Sequence, residues 1–274
     1  MRAIAANGQY ALLVAVSVLT LIAIGAYVTS RASGPQLDAR RLLDANVHSS
    51  AAVIVAVLAL ALAFRQSTLA AAIPAWTFLA LFAMEGSVGW LGNRLLHAAL
   101  APVVFAGVVA VVAVTSAGWS DVPEFVDERT IPFLRPLAIA GPPLLVLQTL
   151  LGASYRHKLT GVIPHLAGAM IVSLAALIAA TLVLHRLPAH RALRSAAMWL
   201  MAVVLTQVTL GVAAFTMQLL GLATAIALVI ATTSHVVVGS VAMSASVVFA
   251  MQVQRHVRRV PAEAAAGLTP PAGL

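Results

Sequence analysis

Apolar residues in this chain gather into runs of about 18 to 24, parted by short polar breaks, and each run is long enough to cross a bilayer. A hydrocarbon core about 30 Å thick needs about 20 helical residues at a rise near 1.5 Å each. Lipid offers no hydrogen-bond partner to an open strand edge, so helices are expected. The alternating strands of a membrane barrel are missing. Eight spans follow, at 10–30, 45–64, 69–90, 95–116, 132–153, 162–184, 192–213 and 234–254. The stretch 214–233, broken by Gly221, is expected to extend the seventh helix or lie at the interface. The fold class is therefore an all-α polytopic membrane protein. Composition agrees: 62% of residues are apolar and 9% charged, where a soluble domain carries about 25% charged. The first run, Tyr10 to Thr29, is not cleanly followed by a small-residue cleavage site and reads as a retained helix. Residues 255–274, rich in Ala, Pro and Gly, read as a disordered cytoplasmic tail.

The chain has no cysteine, which removes disulfides, thiolate ligands and cysteine nucleophiles. Its formal charge of +8 is spread over helix ends, which favours membrane lipid headgroups and cofactor carboxylates as partners over nucleic acid. On the side holding both termini lie Arg2, Arg65, Arg129, Arg135, Arg186, Arg191, Arg194, Arg255, Arg258 and Arg259. Arg31, Arg40, Arg41, Arg94, Arg156 and Lys158 lie on the other. Ten cations against six place both termini in the cytoplasm. The expected location is the plasma membrane of a bacterium or archaeon.

An internal repeat divides the chain into two halves. Gly25-Ala26-Tyr27 and Gly152-Ala153-Ser154 end odd-numbered spans, and Gly34 or Gly161 follows nine residues after each leading glycine. A second echo sets a polar residue four positions before a glycine: Glu85 and Gly89, Gln148 and Gly152, Gln207 and Gly211. That spacing puts both residues on one helix face, where small residues let neighbouring helices approach. The expected organisation is a four-helix half over 1–117, a linker over 118–131 and a second half over 132–254. The halves run in the same direction, because four is even.

Four of the eight histidines share one address. His48, His97, His165 and His235 fall at the expected starts of spans two, four, six and eight, near the extracytoplasmic face. Asp44, Asn93 and Ser234 stand as candidate caps upstream, and Pro164 suits a first turn before His165. A bundle with imidazoles at equal depth on facing helices can hold a flat macrocycle, with one ring on each side of its iron. Two such pairs give one haem site per half. Basic residues at that face, Arg31 and Arg156 among them, are candidates to pair with propionates. Structural zinc fits less well, since it generally adds Cys or carboxylates at close spacing.

Glu85 lies inside the third span, where a carboxylate costs about 2.5–3.5 kcal/mol on insertion scales and needs a partner or a proton. It is expected to support a ligand of the His48/His97 site from behind or to relay protons; a neutral acid bonding as Gln148 and Gln207 do is the plainer reading. His185, His190 and His256 lie beside arginines on the cytoplasmic side and are expected to be solvated. His157, next to Arg156, is expected at the interface.

The segment Leu147-Gln148-Thr149-Leu150-Leu151-Gly152-Ala153-Ser154-Tyr155-Arg156-His157 resembles a signature of the heme A synthase family of cytochrome oxidase assembly proteins. Gly25-Ala26-Tyr27-Val28 followed by Ser33-Gly34 is similar to its first-helix counterpart, and the likeness covers about residues 10–254. The resemblance implies a resident haem b on His165 and His235, and the substrate heme O on His48 and His97. It implies oxidation of a methyl group of heme O to the formyl group of heme A, with heme O synthase or another oxidase-assembly protein as a partner. Two features of many bacterial members have no match here. The loop cysteine pair is missing, and the Glu three residues before the first His is Ala45, with Asp44 one position further back.

Two other classes suit the same pattern: a non-catalytic di-haem electron carrier, and an assembly subunit binding at most one haem. A transporter is disfavoured, because no span is visibly broken at mid-membrane around a polar site. The charge asymmetry makes a topological prediction. A fluorescent protein fused to the C-terminus should fluoresce, and alkaline phosphatase fused there should be silent; the reverse result would invert the orientation.

Overall fold

A computed structural model of the chain describes residues 2–31, 38–221 and 225–258, with side chains over 7–31, 45–221 and 226–258. Long helices dominate: α1 (Arg2–Arg31), α2 (Asp38–Arg65), α3 (Leu69–Trp90), α4 (Arg94–Val114), α5 (Leu134–Arg156), α6 (Ile163–Arg186), α7 (Arg191–Leu220) and α8 (Ala225–His256). All eight are long and apolar enough to cross a membrane. The protein is an all-α polytopic membrane protein.

Each half closes on itself. In the first, α1 packs on α2, α2 on α3, α3 on α4 and α4 back on α1; α5 to α8 repeat the ring. Between halves, α4 meets α8, α1 meets α8 and α4 meets α5. Exchanging the halves turns the α1/α8 contact into α5/α4 and leaves α4/α8 unchanged. The interface thus has the contact pattern of a two-fold axis, with α4 and α8 beside it.

Packing is densest toward the face that carries the termini. Val14, Val18, Leu62, Phe78, Val108 and Val111 fill the first bundle, and Leu134, Val183, Leu193, Leu200, Phe249 and Val253 fill the second. Leu12, Ile54, Phe64, Ile73, Met170 and Trp199 point outward, as they can where the surroundings are hydrocarbon. Helix α8 approaches its neighbours through small residues. Ser240, Ser244 and Ser246 are buried, and a methyl group added at Gly141 of α5 would stand 2.7 Å from Ser246 Oγ.

Helix boundaries depart from the expected spans where polar residues continue a helix beyond its apolar stretch. Helix α2 begins at Asp38, not 45, and α8 at Ala225, not 234. The stretch 214–233 is therefore shared: α7 runs to Leu220, Gly221 ends it in a left-handed conformation (φ 60°), and α8 follows. His48 and His235 accordingly lie well inside their helices rather than in first turns. Asp44 and Ser234 are helical interior positions and not caps. Asn93 does cap α4, its side chain accepting from Leu96 N at 3.1 Å, and Pro164 lies in the first turn of α6.

The expected linker and tail are built together. Val126–Asp127 pairs in parallel with Val257–Arg258, so residues 255–258 belong to the fold. The rest of the expected tail, 259–274, lies outside the described residues. His190 and His256, expected in solvent, are buried, at 4% and 6% exposure. His190 accepts from Leu193 N through Nδ1 at 3.3 Å and donates through Nε2 to the Glu124 carbonyl at 3.2 Å. His256 Nδ1 donates to that same carbonyl at 2.8 Å, and the two rings stand edge to face, 4.7 Å apart. Arg255 stacks on Trp119 and donates to the Asp121 carbonyl, while Arg258 stacks on Phe125. Aromatic and carbonyl partners in the linker draw these residues out of solvent, a pairing that distance in sequence hides. His185 is exposed, as expected.

This strap should be measurable. His256→Leu removes one of the two donors to the Glu124 carbonyl, and should cost about 0.5–1.5 kcal/mol, the net value of one hydrogen bond, seen as a lower Tm in detergent. His185→Leu should stay within about 0.5 kcal/mol of the parent.

Candidate functional site

The four shared-address histidines meet in two pairs. His48 of α2 faces His97 of α4, with ring centres 6.1 Å apart and planes at 89°. His165 of α6 faces His235 of α8 at 6.3 Å and 87°. The duplicated sequence thus yields duplicated geometry.

Each ring lies against a glycine of the preceding helix. A methyl group added at Gly25 would stand 2.9 Å from His48 Cε1, and one at Gly211 would stand 2.9 Å from His235 Cε1. At Gly152 the distance to His165 Cε1 is also 2.9 Å, and at Gly89 it is 2.6 Å to His97 Nδ1. Any β-carbon would occupy space that the imidazole fills. The repeated glycines are therefore ring seats, a more specific role than helix approach.

One turn before three of these seats stands a polar side chain that reaches the ring. The Glu85 carboxylate lies 2.7 Å from His97 Nδ1 and is only 12% exposed. Gln148 Nε2 lies 3.0 Å from His165 Nδ1 and donates to the His165 carbonyl at 2.9 Å. Gln207 Nε2 lies 3.3 Å from His235 Nε2. The fourth equivalent position is Leu21, and Nδ1 of His48 is buried with no hydrogen-bond partner.

The halves are tied at this layer. Arg156, at the end of α5, donates to the Ala26 carbonyl at 2.8 Å and to Ser30 Oγ at 2.7 Å on α1. Thr232 of α8 donates to the same Ser30 hydroxyl at 3.1 Å. Arg156, expected to meet a propionate, is thus engaged in joining α5 to α1. Arg31 is stacked on Tyr27 and donates to its hydroxyl at 2.9 Å. Side chains of Arg40, Arg41 and Asp44, and residues Ser33 and Gly34, lie outside the described residues. His157 follows α5 at the interface; burial, with Arg156 and then Arg94 nearby, holds its pKa below the ordinary histidine value.

No protein-family model matches the sequence, and no curated protein matches it. The chemistry must be read from the site. An imidazole bound to a metal at about 2 Å has its ring centre about 3 Å away, so two imidazoles on opposite sides of one ion stand about 6 Å apart. Both pairs have that spacing. Among the described residues no group of three or more His, Cys, Asp and Glu side chains gathers as a metal cluster, so each pair offers two imidazoles. That donor set suits a metal whose other positions are already filled, as in a porphyrin.

The four histidines grouped by sequence reasoning stand opposite one another in two pairs, and Glu85 lies beside His97. Sequence reasoning did not assign Gln148 and Gln207 to particular rings, although their shared spacing to glycine held that signal. The prediction from the seats is that Gly89→Ala, where Glu85 pins the ring, costs about 1–3 kcal/mol of stability. Gly86→Ala, with nothing within 4 Å of an added methyl, should be neutral or gain up to about 1 kcal/mol in thermal unfolding.

Proposed function

We propose that this chain is a haem-binding membrane oxidoreductase of the heme A synthase type, oxidising a methyl group of heme O towards heme A for cytochrome oxidase assembly. One observation carries the reading: two histidine pairs of matching spacing and angle, one in each half of a duplicated bundle. His165 and His235 would hold a resident haem b. His48 and His97 would hold the substrate heme O. The helix-five segment Gln148 to His157 supports the same assignment through its resemblance to the family.

The unequal surroundings of the two pairs support giving them unequal tasks. Both rings of the second pair are tethered by glutamine amides, as befits a group that stays. The first pair has a carboxylate on one ring and nothing on the other, as befits a site that exchanges its occupant. Resident haem supplies reversible one-electron transfer when bound. Glu85 engages His97 at Nδ1, and would leave Nε2 as the nitrogen to hold a haem iron. Arg156 keeps the two layers in register by its bonds to α1.

A second reading is a di-haem electron carrier, favoured by Ala45 at the family's Glu position and by the absence of cysteine. Reduced-minus-oxidised spectroscopy with mass analysis of the extracted haem separates the two. The synthase reading requires heme A or its hydroxylated precursor when heme O is supplied; haem b alone supports the carrier. His165→Ala should abolish the resident haem signal, and an unchanged spectrum would overturn that ligand assignment.

A further inference from the structure

Four equivalent positions, one turn before the four ring seats, hold Leu21, Glu85, Gln148 and Gln207. Three of them reach a ring nitrogen of the histidine seated above. Leu21 offers only hydrocarbon at 8% exposure, and among the described residues no hydrogen bond tethers the His48 ring. Building on the haem-binding reading above, we propose that His48 is a releasable ligand, that His97 is the retained one, and that the first site thereby admits a diatomic gas such as dioxygen. The second site, where Gln148 stands at Nδ1 of His165 and Gln207 at Nε2 of His235, whose own Nδ1 is buried and unpartnered, stays closed.

The reasoning is mechanical. A tethered imidazole leaves its metal only by breaking a hydrogen bond or dragging a buried polar side chain with it. An untethered imidazole breaks the metal bond alone. Among the described residues no hydrogen bond reaches the His48 ring, so swinging away forfeits none, whereas His235, whose Nδ1 is likewise unpartnered, would forfeit the Gln207 contact at Nε2. On the opposite side, the Glu85 carboxylate at 2.7 Å makes His97 both better oriented and a stronger donor, which keeps it bound when the other ring leaves. Leu21 and Glu85 are positioning residues: each acts through a histidine.

Carbon monoxide reports an open iron position directly. The full-length protein is purified with its haem, reduced, and titrated with carbon monoxide while the absorption spectrum is followed. The expected result is binding at one of two haems. Gln207→Leu should raise the carbon monoxide affinity of the second haem, and Leu21→Gln, which gives His48 a partner, should lower that of the first. Each change should be roughly fivefold, the factor that one neutral hydrogen bond carries. Equal reactivity of both haems in the parent, or reactivity of neither, would overturn the proposal, as would a Gln207→Leu protein whose second haem stays closed. Should Leu21→Gln fail to fold, Gln207→Leu decides alone. A preparation with no haem spectrum is recognised before any gas is added, and it overturns the functional reading rather than the ligand order.

Discussion

The histidine layer of this protein depends on imidazole rings lying flush against glycine backbones. A helix pair can place two histidines opposite each other, rings nearly perpendicular and near 6 Å apart, only if the neighbouring helix yields the volume of a side chain at each. Glycine yields it without breaking the helix, at a cost of about 1 kcal/mol against alanine. Four such seats recur, and they fix both the depth of the rings and the closeness of consecutive helices. The serine-rich face of α8 then lets α1, α4, α5 and α7 gather around one central helix.

The fold was largely legible in the sequence because hydrocarbon imposes a strict rule on length and polarity. The number of spans and their helical form follow from it. Boundaries were less legible, for a physical reason. Polar residues such as Asp38 to Asp44 end an apolar run without ending a helix, and hydropathy does not sense that continuation. The histidine pairs were legible because repetition makes coincidence improbable. The buried state of His190 and His256 was not, since it depends on the Glu124 carbonyl, 66 and 132 residues away in the chain.

The duplication is exact in architecture and inexact in chemistry. Seats and ring spacing are conserved between the halves, while the side chains beneath the rings have diverged to Leu21 and Glu85 in one half and to two glutamines in the other. A carboxylate at membrane depth is costly when alone. Glu85 is not alone: His97 occupies the near side of its carboxylate, and the pair offsets part of that penalty. Divergence beneath a constant scaffold lets two similar sites differ without either bundle repacking.

The fastening of the linker to the end of α8 bears on how the chain is made. A ribosome that has delivered the first four helices and the linker has not yet delivered Arg255, His256 or Val257, the residues that hold that linker down. The early half can assemble from its own neighbours as it emerges. The join between halves, begun where α5 meets α4 and α1, is completed only when the last helix enters the bilayer. Nascent chains cut short before that point would keep the acidic linker unclasped.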